Sequence, residues 1–400
     1  MKILIVNSID WVGGAEAWII HLVRELGRRG HRLGVAHHPD SPLGERARRA
    51  GARTLPMPEF GSRGASTGIA AFPAAARLAR HVRREGYDLV VSTVRRDLKV
   101  AGLAARLAGH RGVVARLMSG WSPAEHPAEN GAAEGGVGTT WRERRHRWYH
   151  RRLVHLAAAN SRAGASLVVA RGYLPAGRVV PIYNGVDLVR FDPDRVSRGP
   201  FRAEHGIAPT AFLVVSLSRF VAGKGQAYEL EAVGRLAAGR PDVHVVFAGP
   251  VRSAERPYLR RLKARAATFP DAARIRFLDA QGDVPRVLAD ADVVLRCAIS
   301  EGLPNIALEA MAMRVPVVAT AICGTPEAVV DGETGRLVSP ADADAIVRAV
   351  DERLSAPAER RAALGAAGRA RVERHFTMSR MANRYEALFR RALSERNDCP

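Results

Sequence analysis

The sequence predicts an α/β protein built from two doubly wound parallel-sheet units in tandem. Short aliphatic runs alternate with Ala-, Arg- and Leu-rich segments of helical period, which is the pattern of strand–helix–strand repeats. The pattern starts again after the loop-rich stretch 184–209, which contains Asn184-Gly185 and Gly199-Pro200. With 400 residues, 47% hydrophobic and 25% charged, the chain has the composition of a globular protein, which excludes disordered and fibrous classes.

The first unit is expected to contain six strands and four helices. The strands are expected at 3–7, 33–36, 89–92, 113–116, 155–159 and 178–182, and the helices at 15–29, 73–85, 97–108 and 161–171. In the second unit we expect strands at 211–217, 243–248, 275–277, 293–295 and 315–319, with helices at 226–238, 255–267, 304–313, 342–354 and 357–374. A separate amphipathic helix is expected at about 378–392.

Charge is distributed unequally between the two halves of the chain. Residues 1–200 contain 32 Lys and Arg against 16 Asp and Glu, whereas residues 201–400 contain 29 against 24. The basic first half indicates an anionic partner, such as a phosphorylated substrate, an anionic membrane or a nucleic acid. Part of the Arg content has a simpler cause, since enrichment in Arg, Ala and Gly is also what a GC-rich genome produces.

Cysteine content and hydropathy favour a cytoplasmic protein. The three cysteines are odd in number and far apart, which argues against a disulfide framework. No run approaches the roughly 20 apolar residues of a membrane-spanning helix. The apolar run near the amino terminus is too short for a signal peptide and is expected to form a buried strand.

Two segments of the first half interrupt the strand–helix alternation. Residues 119–140 are expected to form a long loop, a class of loop that is usually functional or mobile. The segment 141–152 that follows is rich in Arg and aromatic residues. It is interpreted either as a solvated face of an exposed helix or as a surface that contacts lipid headgroups or an anionic acceptor.

Glycine-bearing loops after two strands are candidate phosphate sites. Gly13-Gly14 precedes the first helix, where backbone N–H groups can receive a phosphate or a sugar oxygen, although a simple tight turn would also explain the pair. After the first strand of the second unit come Arg219 and Lys224, the latter beside Gly223 and Gly225. Ligands of doubly wound sheets bind at the carboxyl ends of strands, and both cation types suit phosphate oxygens.

A helix start in the second half carries two carboxylates. The segment Glu301-Gly302-Leu303-Pro304-Asn305-Ile306 leads into a helix that contains Glu309. Pro304 is suited to a first helical turn, and the amides of 302–306 are expected to point out of the helix start as an anion site. Glu301 and Glu309 are then expected to line one side of the same pocket.

Other metal and cofactor patterns are weaker. The sequence has no G-x-G-x-x-G, and Gly223-Lys224 lacks the spacing of a P-loop, so NAD and P-loop chemistry are disfavoured. Three Asp-x-Asp pairs begin at Asp192, Asp290 and Asp342, and histidines stand in pairs at 37–38 and at 146 and 150. Each is better explained by turns, caps or solvated side chains, so no metal and no cofactor is expected.

Taken together and in order, these segments resemble the retaining glycosyltransferases of family 4, also called group 1, which have the GT-B fold. The matching features are the Glu301/Glu309 pair with seven residues between, Arg219 with Lys224, and Gly13-Gly14. Asn184-Gly185-Val186-Asp187 resembles the family's interdomain signature. Residues 324–327, together with 331–335, resemble its closing loop. The resemblance extends over essentially the whole chain.

The resemblance implies two Rossmann-like domains facing each other across a cleft. Residues 1–185 would form the acceptor side, 186–376 the donor domain, and 377–395 a helix that crosses back onto the first domain. Arg219 and Lys224 would hold the diphosphate with help from Gly302, Leu303, Pro304, Asn305 and Ile306. Glu301 would contact the donor sugar, Glu309 the ribose, and Gly13 and Gly14 would let the backbone approach the diphosphate.

The expected reaction is transfer of a sugar from a nucleoside-diphosphate sugar, with UDP-sugar favoured, to an acceptor hydroxyl with retention of configuration. The basic first half predicts an anionic or lipid-linked saccharide acceptor in envelope or exopolysaccharide assembly, and contact with the cytoplasmic face of an anionic membrane. Many relatives have a His in the segment that here spans 114–121; none is present, so Arg116 and Trp121 become candidate acceptor contacts.

Alternatives to this function come from three directions. A secondary-metabolite glycosyltransferase would take a soluble acceptor, and a nucleotide-sugar epimerase or phosphorylase would use the same fold. A nucleic-acid-binding protein would suit the net charge of +21, but the sequence has no recognisable nucleic-acid module and its basic residues are scattered along helices. No nucleic-acid partner is therefore expected.

Overall fold

The computed structural model describes residues 1–10, 14–61, 71–117 and 141–397. The described chain divides into two compact units, with breaks between Gly185 and Val186 and between Thr377 and Met378. Unit 1 contains the residues before the first break together with those after the second, and unit 2 contains 186–377. Gly13, Trp121 and the whole of the expected loop 119–140 lie outside the described residues.

Unit 1 is a seven-stranded parallel sheet in the order β3-β2-β1-β4-β5-β6-β7. Its strands are β1 (Lys2–Asn7), β2 (Arg32–His37), β3 (Arg53–Pro56), β4 (Leu89–Ser92), β5 (Val113–Leu117), β6 (Val154–Ala159) and β7 (Val179–Pro181). Its helices before the first break are α1 (Gly14–Arg28), α2 (Leu43–Arg49), α3 (Ala71–Glu85), α4 (Leu98–Leu107), α5 (Trp141–Leu153) and α6 (Arg162–Ala170).

The sheet of unit 1 is buried on both faces. Alternate side chains of β1 point to opposite sides, so Ile3 and Ile5 pack with α1 while Leu4 and Val6 pack with α3 and α4. A strand covered on both faces has to be apolar at every position, which is why β1 is a continuous aliphatic run.

Unit 2 has a six-stranded parallel sheet in the order β10-β9-β8-β11-β12-β13. Its strands are β8 (Phe212–Leu217), β9 (Val243–Ala248), β10 (Ile275–Leu278), β11 (Val293–Arg296), β12 (Val317–Thr320) and β13 (Gly335–Val338). Its helices are α7 (Pro200–Glu204), α8 (Gln226–Gly239), α9 (Arg256–Ala266), α10 (Val284–Asp290), α11 (Asn305–Ala312), α12 (Thr325–Ala328), α13 (Ala343–Ser355) and α14 (Ala358–His375). The predicted α/β class with two doubly wound parallel sheets is confirmed.

The last helix, α15 (Met378–Asn397), belongs to unit 1 rather than to unit 2. Tyr385 packs edge-to-face on Trp18 of α1, with ring centroids 5.0 Å apart, and Phe389 is fully buried in the same core. Glu386 accepts hydrogen bonds from Arg29 at 2.9 Å and binds His31 at 3.0 Å. Unit 1 is therefore completed by the final part of the chain.

Two strands that the sequence pattern did not predict stand at sheet edges. These are β3 and β13, each four residues long and only partly buried. An edge strand has a neighbour on one side only and tolerates polar residues such as Arg53, so it lacks the apolar run that marks a central strand. The short helices α2, α7, α10 and α12 were missed for a similar reason, since each is too short to show a helical period.

Candidate active site

The order of strands in unit 2 reverses between β8 and β11. The chain moves outward from β8 to β9 and β10, then returns to the other side of β8 with β11. In doubly wound sheets a crevice opens outside the carboxyl ends of the strands at such a reversal. The residues after Leu217 and those after Arg296 therefore meet at this edge of the sheet.

Backbone contacts hold these two loops together. The carbonyl oxygen of Gly223 accepts hydrogen bonds from the backbone N–H groups of Ile299 at 3.1 Å and Ser300 at 3.2 Å. Gly225 has φ of +77°, and a Cβ there would lie 1.8 Å from the carbonyl oxygen of Cys297. Only glycine fits this approach, which places Lys224 directly opposite the 299–301 loop.

An ion cluster forms where the loops meet. The Lys224 ammonium Nζ lies 3.3 Å from Glu301 Oε1 and 3.2 Å from Oε2, and the Arg296 guanidinium donates from Nη2 to Oε2. The side chains of Lys224, Glu301 and Arg296 are 22%, 14% and 7% exposed. Two residues that the sequence predicts as site candidates, Lys224 and Glu301, are thus in contact. Arg296, which the sequence did not indicate, is a third member of the cluster.

This cluster fixes the charge of its members. Burial alone would raise the pKa of the Glu301 carboxyl, but the charges of Arg296 and Lys224 and the N–H of Gly302 outweigh it and lower the pKa to about 2. Burial lowers the pKa of Lys224, and the charge of Arg296 adds to that lowering while Glu301 opposes it. Glu301 is therefore ionised at neutral pH, whereas the Lys224 ammonium is destabilised by its burial.

Arg219 lies on the same loop as Lys224 but has a different partner. Its Nη1 donates to Glu255 Oε1 at 2.9 Å, and Arg252 binds the same carboxylate oxygen from Nη2 at 2.7 Å. The side chain of Arg219 as a whole is 28% exposed. Its charge also acts on Lys224, which places the two cations in one electrostatic neighbourhood.

The helix start at α11 differs from the expectation in two ways. Helix α11 begins at Asn305, with Pro304 at the N-cap rather than in the first turn, and a proline has no N–H to donate. The N–H of Gly302 donates to Glu301 Oε1 at 3.2 Å. Pro304 therefore offers no donor, and the Gly302 amide already has the Glu301 carboxylate as its partner.

Glu309 lies outside the Lys224–Glu301 cluster. Burial raises the pKa of its carboxyl to about 7, and the opposing positive charge is that of Arg190. Among the residues that the structure describes, no hydrogen bond to the Glu309 carboxylate is found. No contact between Glu301 and Glu309 is found in the described part of the chain, so their place in one pocket stays a prediction.

In unit 1 the structure changes the interpretation of Arg116. The side chain is 3% exposed, stacks on Trp18 with its guanidinium carbon 4.6 Å from the ring centroid, and donates to Asn184 Oδ1 at 3.2 Å. It also bonds the hydroxyl of Tyr385. Arg116 thus holds α15 inside unit 1, and its role as an acceptor contact stays a prediction. Gly14 is exposed at the first residue of α1.

A polar group at the strand reversal of unit 1 was also missed. The Asp97 carboxylate accepts the backbone N–H of Ser8 at 3.2 Å and 3.1 Å, and Arg96 Nε donates to Ser8 Oγ at 2.6 Å. Asn7 donates to Thr93 Oγ1 at 2.8 Å. These residues follow β1 and β4, so they too lie at the carboxyl ends of strands beside a reversal of strand order, where ligands of doubly wound sheets bind.

The weaker metal candidates have structural roles where the structure describes them. Asp290 and Asp292 both bind Arg202, and His150 Nδ1 lies 2.6 Å from the carbonyl oxygen of His146 rather than beside a second imidazole. Burial lowers the pKa of His150 to about 3. In the described ranges, no group of three or more His, Cys, Asp or Glu is arranged to hold a metal ion.

Two family models match consecutive parts of the chain. Glycosyltransferase Family 4 matches residues 12–190, and Glycosyl transferases group 1 matches residues 197–371. The chain belongs to the group 1, family 4 glycosyltransferases. The first match ends at residue 190, a few residues after the break between Gly185 and Val186.

Curated members of this family match over part of the chain. A GDP-mannose-dependent alpha-(1-6)-phosphatidylinositol monomannoside mannosyltransferase of Mycolicibacterium smegmatis is 36% identical over 210 residues, 50% of this chain and 53% of that protein. A D-inositol 3-phosphate glycosyltransferase of Mycolicibacterium gilvum is 34% identical over 188 residues, 46% of this chain and 41% of that protein. The matched region thus spans about half the length of these glycosyltransferases.

Solved structures of similar architecture cover this glycosyltransferase almost completely. The Anabaena protein HepE, solved in complex with UDP and glucose, superposes with a TM-score of 0.82 at 22% identity over 97% of this chain and 99% of its own. This likeness concerns the fold. With the two parallel sheets, it confirms the predicted GT-B class.

Proposed function

We propose that this glycosyltransferase moves a sugar from a nucleoside-diphosphate sugar to a hydroxyl of its acceptor, with unit 2 holding the donor. The observation that carries the proposal is the Lys224–Glu301 pair at the β8/β11 reversal. The pair places a cation beside a carboxylate that can accept hydrogen bonds from sugar hydroxyls, at the edge of the sheet where ligands of doubly wound sheets bind. The family and its named relatives support the reaction class.

The diphosphate is held by cations and backbone amides. Arg219 supplies a planar fork and Lys224 a compact charge, and both oppose the negative charge that develops on the leaving diphosphate. The amides of Leu303, Asn305 and Ile306 add donors at the start of α11. No protein nucleophile is required in this scheme, in which the acceptor attacks the face that the leaving phosphate departs from and configuration is retained.

The two glutamates orient the rest of the donor. Ionised Glu301 accepts hydrogen bonds from hydroxyls of the donor sugar and so fixes the anomeric carbon. Glu309 accepts hydrogen bonds from the ribose hydroxyls in its ionised form. Neither a metal nor another cofactor takes part in this proposal.

The acceptor is proposed to be an anionic or lipid-linked saccharide in envelope or exopolysaccharide assembly. The surplus of basic residues in the first half of the chain favours a negatively charged acceptor. The relatives named above act on phosphatidylinositol monomannoside and on D-inositol 3-phosphate, both of which carry phosphate.

Contact with an anionic membrane at the cytoplasmic face is also proposed, through α5. Trp141 and Trp148 of this helix are 72% and 55% exposed, and the guanidinium groups of Arg145 and Arg152 lie 4.7 Å and 5.8 Å from their ring centroids. Exposed indoles beside arginines suit a bilayer interface. None of the described helices has both the length and the apolar character needed to cross a bilayer.

Vesicle sedimentation tests the membrane contact. Wild type is expected to sediment with phosphatidylglycerol vesicles and much less with phosphatidylcholine vesicles, and binding should weaken as salt is raised. A variant carrying Trp141→Ser and Trp148→Ser should lose most of this binding. Equal sedimentation with both lipids, or an unaffected double variant, would contradict the proposal.

Donor identity and reaction class are tested in one series. UDP-, GDP-, ADP- and dTDP-sugars are screened by thermal shift. A UDP-sugar is the favoured donor, and GDP-mannose is included because a relative is named as GDP-mannose-dependent. With the binding donor, release of nucleoside diphosphate should accelerate when acceptor is added. An epimer formed without acceptor would indicate isomerisation instead, and duplex binding without nucleotide-sugar affinity would indicate a nucleic-acid protein.

A further inference from the structure

Glu301 keeps a partner on each carboxylate oxygen even without Lys224. Oε2 accepts from Arg296 Nη2, and Oε1 accepts from the N–H of Gly302 at 3.2 Å. The Lys224 Nζ lies 3.3 Å from Oε1 and 3.2 Å from Oε2. The ammonium is therefore an additional partner of a carboxylate that is already hydrogen-bonded on both sides.

Donor binding changes what Lys224 has to do. A diphosphate carries two negative charges and competes with Glu301 for the ammonium. If Lys224 were the sole cation on Glu301, its departure would leave an enclosed carboxylate without a countercharge, next to two phosphates, which is costly at low effective dielectric. Some other cation has to stay with Glu301 when the donor arrives.

Arg296 is placed to be that cation. It is the last residue of β11, its side chain is 7% exposed, and its Nε is buried with no hydrogen-bond partner among the residues that the structure describes. On its inner side the charge of Arg296 also acts on Glu229, a fully buried carboxyl that accepts from Ser216 Oγ at 2.6 Å and from the N–H of Cys297 at 2.7 Å.

We propose that Arg296 is a positioning residue, which holds Glu301 in place and ionised while Lys224 transfers from Glu301 to the donor diphosphate. The inference rests on the proposed function, because it assigns the diphosphate to Lys224 and the sugar to Glu301. Arg296 acts through Glu301 and does not itself bind the phosphates, since its guanidinium lies deeper in the unit than the ammonium does.

Charge removal at Arg296 is the first test. Arg296→Met is expected to lower kcat/KM for the donor sugar about 10- to 100-fold, and Arg296→Lys to recover part of the loss because it keeps the charge without the fork. Arg336→Met is the matched control, since Arg336 is a strand arginine of the same unit that pairs with Asp331 and Glu352. Wild-type kinetics in Arg296→Met would overturn the proposal.

A double-mutant cycle separates positioning from direct phosphate binding. If Arg296 acts through Glu301, Arg296→Met should change kcat/KM by less than about threefold in a Glu301→Gln background. An undiminished effect in that background would mean that Arg296 contacts the donor itself, and would overturn the inference. Far-UV circular dichroism and thermal melts of all variants identify any that fail to fold, and Arg296→Lys then replaces Arg296→Met in the cycle.

The pH profile gives a readout that a merely structural role would not move. Besides Lys224, the charged and titratable groups around this pair are Arg219, whose charge acts on Lys224, and Glu229 and the Cys297 thiol, on which the charge of Arg296 acts. Without Arg296 the pKa of Glu301 rises, so the ratio of Arg296→Met to wild-type activity should fall as the pH is lowered from 7 to 5, whereas the ratio for Arg336→Met stays flat. A flat ratio for Arg296→Met would contradict the inference.

Nucleotide binding keeps this inference distinct from the proposed function. Affinity for UDP and GDP is measured by calorimetry for wild type, Arg296→Met and Glu301→Gln. If wild type binds nucleotide but transfers no sugar, the proposed function fails, and the cycle is then evaluated on the dissociation constants. If Arg296→Met binds nucleotide as wild type does, the inference fails while the proposed function stands.

Discussion

Asp97 and Glu301 occupy equivalent positions in the two units and have opposite charge behaviour. Each stands five residues after the strand that borders the reversal of its sheet, β4 in unit 1 and β11 in unit 2. Burial raises the pKa of Asp97 to about 7, whereas that of Glu301 is lowered to about 2 against the same effect of burial.

The difference comes from neighbouring cations. Arg296 and Lys224 both bind the Glu301 carboxylate, but in unit 1 the guanidinium of Arg96 donates to Ser8 instead of to Asp97. Topology thus places a carboxyl group at the same point twice, and the side chains around it decide whether the group is an anion.

The units also differ in how the chain completes them. In the described residues unit 2 is one continuous segment, 186–377, whereas unit 1 depends on α15 from the far end of the chain. Point variants therefore test two things: whether the stability of unit 1 depends on α15, and whether the chemistry depends on unit 2.

The largest expected effect is on the stability of unit 1. Phe389→Ala should reduce the free energy of unfolding of unit 1 by about 3–5 kcal/mol, because the fully buried ring leaves a cavity. Arg384→Ala on the exposed side of the same helix is the control, with an expected change within about 0.5 kcal/mol.

Tryptophan fluorescence reads this effect selectively. The tryptophans that the structure describes, Trp18, Trp141 and Trp148, all belong to unit 1, so their emission follows that unit, while circular dichroism follows the whole chain. The fluorescence transition of Phe389→Ala should move to lower denaturant ahead of the loss of the remaining helicity. Coincident shifts of both signals would contradict the contrast between the units.

The next effect is on turnover in unit 2. Lys224→Ala should reduce turnover of the donor sugar about 100- to 1000-fold, since it removes a cation that opposes charge on the leaving group. Lys263→Ala, at an exposed position on α9, should leave turnover unchanged. Unfolding midpoints of both variants close to wild type would show that the loss is chemical. Near-normal turnover in Lys224→Ala would refute the assignment.

A smaller effect is expected from Asp97. Because its folded pKa of about 7 lies above the ordinary value of 3.8, the folded state binds the extra proton and stability falls as the pH rises through this interval. Asp97→Asn removes that dependence, so the free energy of unfolding of the variant minus that of wild type should increase by about 2 kcal/mol between pH 5 and pH 8. Urea titrations followed by tryptophan fluorescence measure the difference, and a constant value would contradict it.

The smallest effect concerns Glu309. Its pKa of about 7 means that it becomes ionised, and a better acceptor for ribose hydroxyls, as the pH rises from 6 to 8. Affinity for the donor sugar should increase up to about tenfold over this range in wild type and stay level in Glu309→Gln. Calorimetry with the nucleotide sugar is suitable because its doubly esterified diphosphate does not titrate there. An identical slope in Glu309→Gln would remove Glu309 from the donor site.

Sequence patterns predicted the central parts of both units well. Strands β4 and β9 were expected with their observed bounds, because they are buried on both faces and show as aliphatic runs. The edge strands β3 and β13 have too little burial to leave such a pattern. Lys224 and Glu301 were predictable because glycines and a helix start mark their loops.

Three site features could not be predicted because they depend on contacts between distant segments. Arg116 is a candidate acceptor contact because of its place in the segment 114–121. In the structure it is held inside unit 1 by Trp18 and by Tyr385, which lies 269 positions further along the chain. Arg296 looks like any last residue of a strand until the Glu301 carboxylate is placed on it. The pKa of Glu309 follows from enclosure, which sequence spacing does not report.

The place of α15 has a consequence for biosynthesis. During translation about 190 residues, those of unit 2, are added between the last strand of unit 1 and the helix that covers Trp18. At 5–20 residues per second this takes about 10–40 s. Throughout that interval the apolar face of unit 1 that α15 covers stays exposed on the nascent polypeptide, until the helix has been synthesised.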